Sequence, residues 1–130
     1  MVNYVAVLVA AIAAFVVGAL WYGPIFGKVW RREMGMDDMQ PSMKGMGSSM
    51  VGGFIATLVL VWVLAEFYSM WYITTLPTAL LIAFWIWLGF IATVMTNVMW
   101  YEKKSFKLYV INVAHYLVAI LVAAAVLIWI

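Results

Sequence analysis

The sequence predicts an all-α integral membrane protein, a four-helix bundle with a short interfacial helix after the first span. Composition is the first reason: hydrophobic residues make up 69% of the 130 residues and charged residues only 9%. Soluble domains carry roughly a quarter charged residues, and a chain of this size cannot bury so much apolar surface in its own core. Lipid must therefore be the solvent, and the length fits a single membrane domain.

Charge-free runs are the second reason, and they locate the spans. The runs cover residues 1–27, 45–65, 67–101 and 108–130. A helix needs about 20 apolar residues to cross a bilayer, so the first, second and fourth runs each predict one span. The third run is longer, and SMWYITTLPT (69–78) predicts a turn before its helix because it contains Pro77 and paired threonines. We place the helices near 2–23, 48–67, 78–101 and 107–130.

The basic residues predict the orientation. All seven lie on the first and third connections: Lys28, Arg31, Arg32, Lys44, Lys103, Lys104 and Lys107. Lysine and arginine favour the cytoplasmic side, so we expect both termini outside and loops one and three cytoplasmic, in a bacterial plasma (inner) membrane. The imbalance argues against a dual-topology exporter or channel, in which the charges would be nearly even.

The first connection, residues 24–47, contains two recognisable segments. Pro24 suits the first position of a new helix, and a short amphipathic helix on the membrane surface is expected after it. Its apolar face would consist of Ile25, Phe26, Val29 and Trp30. Further along, Ser48 or Ser49 is predicted to cap the second span.

Six of the ten methionines fall between Met34 and Met50. Thioethers are soft ligands that can bind monovalent copper. Their spacing here is irregular, however, and no cysteine or histidine lies among them. We interpret the segment as a flexible interfacial linker whose methionines contact lipid, and we expect no metal and no cofactor.

The side-chain inventory argues against an enzyme and against a nucleic-acid-binding protein. The chain has no cysteine, one histidine and no glycine-rich phosphate loop, and its lone serines have no neighbouring base. Glu66, the one acid close to a span interior, is predicted at the outer end of the second helix, which disfavours proton-coupled drug export. No basic patch is interleaved with exposed aromatics.

Small and polar residues recur at helical spacing in three spans. The first helix carries Ala11, Ala14 and Gly18, the third Gly89, Thr93 and Asn97, and the fourth Asn112, His115, Ala119 and Ala123. Such stripes let helices approach closely. Packing within one bundle accounts for most of them, and a face shared with a second copy of the chain is the alternative.

Five residues are predicted to meet in one polar layer in the cytoplasmic third of the bilayer: Trp21, Tyr22, Asn97, Asn112 and His115. His115 lies eight residues, or about 12 Å of helix, from Lys107. Polar groups at that depth usually face the bundle interior. Two interpretations stay open: a ligand-binding pocket with aromatic walls, or an Asn–His–Tyr hydrogen-bond network that fixes helix register.

Two stretches carry a family resemblance: AAFVVGALWYGPIFGKVW (13–30) and GFIATVMTNVMWYEKKSFKLYVINVAHYLVAILVAAAV (89–126). They resemble a family of small bacterial membrane proteins catalogued as domain of unknown function 1761, and the likeness covers essentially the whole chain. Its most distinctive motif is Gly-x-x-Trp-Tyr-Gly-Pro-x-Phe-Gly-Lys-x-Trp at 18–30, while Asn97, Tyr109 and Asn112 fit a looser pattern. The resemblance implies four membrane helices, no established activity and no catalytic residues.

Two functions of different class follow. In the first, the protein is a small oligomeric binding or transport bundle that uses the polar layer. In the second, it is a structural or accessory subunit that docks onto a larger membrane protein complex. The expected partners are accordingly the lipid bilayer and either further copies of the chain or other membrane protein subunits.

Overall fold

A computed structural model of the protein describes residues 2–35 and 46–130. Over these ranges the fold is all-helical, and four helices are long and apolar enough to cross a membrane: Tyr4–Ile25, Gly47–Met70, Leu76–Trp100 and Phe106–Trp129. We call them the first to fourth spans. The predicted all-α fold with four membrane spans is confirmed. The interpretation of the methionine-rich segment falls largely on residues 36–45, which lie outside the described residues.

Local caps explain where two of the spans begin. Asn3 Oδ1 accepts hydrogen bonds from the amides of Val5 and Ala6 at 3.1 and 3.3 Å, and Ser105 Oγ accepts from the Leu108 amide at 3.1 Å. Both caps satisfy amides that have no partner within the helix. The predicted cap at Ser48 or Ser49 is wrong, because this helix already begins at Met46.

Alanine contacts hold the bundle together. The fourth span lies between the first and third spans, and the second span packs against the first. Small buried residues of the first and fourth spans form one core with Val61 of the second span: Ala10, Ala11, Ala14, Ala119 and Ala123. The small-residue stripes of these two spans therefore serve packing within the bundle.

The second span packs closely along only one half of its length. Its buried residues are Val61, Leu64, Ala65 and Tyr68, and the Tyr68 hydroxyl donates to the carbonyl oxygen of Ala79 in the third span. Residues 47–53 are exposed. They lie at the end of the bundle that carries Lys28, Arg31, Arg32, Lys103, Lys104 and Lys107, which we call the basic end. There the second span leaves open space beside its neighbours.

The first and third spans both change helix type on the way to the basic end. Trp21–Ile25 and Trp87–Ala92 are π-helical, and each segment begins with a tryptophan. The third span then passes through a 3₁₀ turn, Val94–Thr96, into a short α-helix, Asn97–Trp100. The span predicted near 78–101, which is Leu76–Trp100 in the structure, therefore contains three types of helical turn.

Hydroxyl groups compensate for the interrupted helical ladder of the third span. Thr93 Oγ1 donates to Gly89 O at 2.7 Å and Thr96 Oγ1 donates to Thr93 O at 2.6 Å. The Tyr109 hydroxyl of the fourth span donates to Ala92 O at 2.7 Å. Carbonyls exposed by an irregular turn are costly inside a membrane unless they find such partners.

A short helix, Gly27–Glu33, follows the first span. It begins three residues later than predicted, because Pro24 lies inside the π-helical turn instead of opening a new helix. A Cβ atom on Gly27 would lie 2.6 Å from the Tyr22 carbonyl oxygen. Glycine is therefore required where the chain turns out of the first span.

Enlarging a core alanine tests the contact between the first and fourth spans. Ala11 is fully buried, so Ala11→Leu should lower the free energy of unfolding by about 1–3 kcal/mol through overpacking. The measurement is reversible unfolding in mixed micelles. Ala56→Leu is the matched control, because Ala56 is exposed and should tolerate the same change. Equal effects of the two substitutions would contradict the described packing.

Candidate functional site: the His115 cleft

His115 of the fourth span lies against Gly18 of the first span. A Cβ atom placed on Gly18 would be 3.0 Å from His115 Nε2 and 3.7 Å from Cε1, so a side chain there would press on the imidazole. Aromatic rings surround the rest of the histidine. The centroid of its ring lies 5.0 Å from that of Tyr22, 4.7 Å from that of Tyr116 and 6.4 Å from that of Trp21.

Trp21 and Tyr22 both donate hydrogen bonds to the fourth span, one turn before His115. Trp21 Nε1 donates to the carbonyl oxygen of Ile111 at 3.0 Å. The Tyr22 hydroxyl donates to Asn112 Oδ1 at 2.7 Å. The Trp-Tyr pair therefore fixes the register of the first span against the fourth, in addition to forming two walls around the histidine.

The third span makes a matching contact from the other side. Trp87 Nε1 donates to the carbonyl oxygen of Val113 at 2.7 Å. A carbonyl oxygen has two lone pairs, so Ile111 and Val113 can each accept an indole N–H together with their helical hydrogen bond. Tryptophans on two neighbouring helices thus hold the same stretch of the fourth span.

Four of the five residues predicted to share the polar layer come together: Trp21, Tyr22, Asn112 and His115. Asn97 does not join them, and this part of the prediction is corrected. Its side chain is exposed, because the third span turns Trp87 and Ala92 towards the fourth span. The stripe of Gly89, Thr93 and Asn97 consequently lies on the outer surface of the bundle.

A cleft of about 460 Å³ opens beside His115, between the first, second and fourth spans. We call it the His115 cleft; its lining includes Phe15, Gly18, Tyr22, Gly53, Thr57 and His115. On the first span it extends from Ala14 to Gly23. The nine residue-to-residue steps between them correspond to about 13 Å of helix, close to half of the roughly 30 Å hydrocarbon thickness of a bilayer.

Two further cavities adjoin the His115 cleft, and Tyr116 lines all three. One, of about 410 Å³, lies between the second and third spans and shares Gly53, Thr57 and Leu60 with the cleft. The other, of about 500 Å³, lies at the basic end and has Glu102 and Lys104 in its lining. The space around Tyr116 therefore reaches from the apolar interior towards charged residues.

His115 carries an unpartnered polar atom. Its Nδ1 is buried and has no hydrogen-bond partner within the part of the chain that the structure describes. Buried polar groups in native proteins nearly always find a partner. An unpartnered nitrogen in a ring that also lines an open cleft marks this position as different from a packing residue.

Several cleft residues were not identified from the sequence. Tyr116 immediately follows His115, and Gly53 belongs to a Gly-Gly pair inside the second span. A glycine pair in an apolar helix signals either close helix contact or open space. The sequence does not distinguish these two cases, and here Gly53 borders open space: an added Cβ would meet only Phe15, at 3.7 Å.

The chain was compared with protein families, with curated proteins and with solved structures. The model of the family described as "Protein of unknown function (DUF1761)" matches residues 5–128. This range runs from the first span into the end of the fourth and contains every cleft residue named above. The searches of curated proteins and of solved structures returned no match. The resemblance recognised in the sequence is thereby confirmed.

Removing the Tyr22 hydroxyl tests the register contact. Tyr22→Phe leaves Asn112 Oδ1 without its donor, and hydrogen bonds between membrane helices contribute about 0.6 kcal/mol on average and up to about 1.7. A loss of free energy of unfolding in this range is expected in mixed micelles. Tyr72→Phe is the control, since Tyr72 is 88% exposed in the turn between the second and third spans. If both variants were as stable as the wild type, the register role would be refuted.

Proposed function

We propose that this chain, which belongs to the DUF1761 family of proteins of unknown function, is a membrane-embedded binding protein. Its ligand is small and mainly apolar, and it occupies the His115 cleft. The observation that carries the proposal is a cleft of about 460 Å³ lined by a histidine whose Nδ1 has no hydrogen-bond partner within the described residues. Ligand sites usually measure about 300–1,000 Å³ and combine apolar walls with a few polar groups.

The exposure of the cleft walls supports entry of the ligand from the bilayer. Ala19, Ser49, Met50 and Gly53 line the cleft and are exposed. A molecule dissolved in lipid could pass between the first and second spans without crossing water. The second span packs tightly only in its other half, so the opening requires no disruption of the alanine core.

Polar contacts must provide the selectivity of such a site. Lipid tails are as apolar as the cleft walls, so burial in the cleft gives an apolar ligand little advantage over the bilayer. The hydroxyls of Tyr22 and Thr57 already donate, to Asn112 Oδ1 and to Gly53 O. Ser49 and Tyr116 also line the cleft but are exposed, whereas His115 is half-buried. The imidazole of His115 is therefore the group best suited to recognise a polar atom of the ligand.

Binding rather than catalysis fits this arrangement. His115 makes no hydrogen bond to a nucleophile within residues 2–35 and 46–130, and its ring contacts are with Trp21, Tyr22 and Tyr116. Transport would additionally require the ligand to pass the alanine core. A separate cavity of about 400 Å³ at the opposite end of the bundle is lined by Ala6 and Ala65. Ala10 and Val61, both at 0% exposure, lie in the core between the two cavities and close this route.

A second candidate function is an accessory subunit that docks onto another membrane protein or a second copy. The observation in its favour is the outward-facing stripe of Gly89, Thr93 and Asn97. An exposed asparagine in an apolar span is costly in lipid unless another protein covers it. This function needs no ligand in the His115 cleft.

The orientation in the membrane is also part of the proposal. We propose a bacterial plasma membrane location with both termini outside and the basic end in the cytoplasm, supported by the confinement of all seven lysines and arginines to residues 28–44 and 103–107. Positive residues near span ends are retained on the cytoplasmic side.

Cysteine labelling in intact cells tests the orientation. The chain has no cysteine, so each introduced thiol gives an unambiguous signal. Thr74→Cys should react with a membrane-impermeant maleimide from outside, while Lys103→Cys should react only after permeabilisation. The unmodified chain controls for background labelling, and the reverse pattern would refute the proposed topology.

Ligand binding is tested with 1-naphthol as the probe in lipid nanodiscs. Because His115 is the only histidine, labelling histidine with nitrogen-15 gives an NMR spectrum that reports on this ring alone. We expect a saturable shift of the ring signals as the mole fraction of 1-naphthol rises. The compound both donates and accepts hydrogen bonds, so it suits either arrangement of the ring proton.

Two glycine variants make this test specific. Gly53→Leu should fill the cleft and abolish the saturable shift, because Gly53 lines it. Gly52→Leu is the matched control: a Cβ there meets nothing within 4 Å, and Gly52 is absent from the cleft lining. Loss of the shift in both variants, or no saturable shift in the wild type, would reject the binding function and favour the accessory subunit.

A further inference from the structure

We infer that His115 donates a hydrogen bond from Nε2 into the cleft, and that the ligand is a lipid-soluble carbonyl compound with a flat ring. The inference rests on the proposed binding function and names the chemical class of its ligand. It follows from the lack of a partner for Nδ1 within the described residues and from the position of Nε2 beside Gly18.

A neutral imidazole has one donor nitrogen and one acceptor nitrogen. The side chain of a helical residue points back over the preceding turn, which for His115 contains Ile111 and Asn112. Both of these residues accept hydrogen bonds from the first span. The Ile111 carbonyl accepts the Trp21 indole as well as its helical hydrogen bond, and Asn112 Oδ1 accepts the Tyr22 hydroxyl.

Within the described residues, however, neither Ile111 nor Asn112 makes a hydrogen bond to His115 Nδ1. Nδ1 is buried and unpartnered within the described residues. An orphaned buried N–H group is rarer than an under-satisfied acceptor. The proton consequently belongs on Nε2, and Nδ1 keeps an unused lone pair.

Nε2 is the imidazole atom nearest to Gly18, on the first-span wall of the cleft. It is the ring atom that a Cβ on Gly18 would approach most closely, at 3.0 Å, and Gly18 and His115 both line the cleft. A donor at this position requires an acceptor on the ligand. A ligand that only donates hydrogen bonds would meet an N–H group and gain nothing.

The charge and shape of the cleft lining indicate which chemical class of acceptor group the ligand carries. No lysine or arginine is among the described residues that line the His115 cleft, so a carboxylate or phosphate would be buried there without a counter-charge. A carbonyl oxygen accepts equally well and is neutral. Phe15, Tyr22 and Tyr116 line the same space, and aromatic walls favour a flat ring that can stack or meet them edge to face.

The position of the proton is tested directly by nitrogen-15 NMR of the histidine-labelled protein in nanodiscs. Nε2 couples to both ring carbon-bound protons, whereas Nδ1 couples strongly to only one, so the two nitrogens are distinguished in a single spectrum. The expected result is a proton on Nε2 alone. A proton on Nδ1, or on both nitrogens, would overturn the inference without requiring any ligand.

The ligand class is tested with two probes of similar size in the same nanodiscs. 2-Acetylnaphthalene carries a carbonyl acceptor, and indole carries only an N–H donor. Because it gains one hydrogen bond, 2-acetylnaphthalene should bind with an affinity about two- to tenfold higher than that of indole, as measured from the shift of the His115 signals. Methyl decanoate, whose carbonyl lies on a flexible chain, should bind more weakly than 2-acetylnaphthalene, and equal or stronger binding would refute the preference for a flat ring.

Gly18→Ala and Gly52→Ala provide the matched variants. The added methyl group at Gly18 presses on Nε2 and should remove the preference for 2-acetylnaphthalene over indole, while Gly52→Ala should retain it. If 1-naphthol binds but indole equals or exceeds 2-acetylnaphthalene in the wild type, the cleft is a binding site and the donor inference is wrong. If 1-naphthol does not bind at all, the proposed function itself fails.

Discussion

The close contact between the first and fourth spans is the constraint on which the rest of the structure depends. Lipid tails are as apolar as leucine side chains, so these helices gain nothing from the hydrophobic effect when they associate. They must instead approach closely enough for dispersion contacts and interhelical hydrogen bonds. Ala10, Ala11 and Ala123, each 0–1% exposed, allow that approach. Towards the basic end the same stripe continues into Gly18, which receives the imidazole of His115.

Hydrogen bonds to one stretch of the fourth span fix this contact in register. Trp21 and Trp87 reach the carbonyls of Ile111 and Val113 from different helices, and each tryptophan is the first residue of a π-helical segment. A π turn places one extra residue in the helical repeat and so changes the direction of the side chains that follow. The third span compensates for its irregular ladder with hydroxyl donors. The fourth span, by contrast, is one continuous α-helix, Phe106–Trp129.

The open space beside His115 arises because the second span is held along only one half. Leu64 and Tyr68 anchor it near the third span, whereas the segment around Gly52 and Gly53 packs loosely. Glycine has no side chain to fill the gap, and the neighbouring residues are exposed. The same chain thus combines a rigid alanine core with a cleft roughly one leaflet deep. Tight packing and open space therefore lie in opposite halves of the second span.

Sequence alone determined that the chain is helical, that it carries four apolar spans, and which family it belongs to. These properties depend on composition, on charge-free runs and on a distinctive motif, all of which are local in the chain. The layer shared by Trp21, Tyr22, Asn112 and His115 could also be predicted from the sequence, because the rise per residue of a helix converts residue number into depth in the membrane. Depth does not specify direction, however, and this is why Asn97 was placed in the layer although its side chain points outward.

Only the tertiary structure decided which hydrogen bonds form around His115. The sequence shows a histidine, an asparagine, a tyrosine and a tryptophan at compatible depths, and these could pair in several ways. Packing of the first span against the fourth brings Trp21 to the Ile111 carbonyl and Tyr22 to Asn112, while His115 Nδ1 has no partner within the described residues. The physical reason is that a hydrogen bond requires a short donor–acceptor distance, and distances between helices are encoded by no single stretch of the chain.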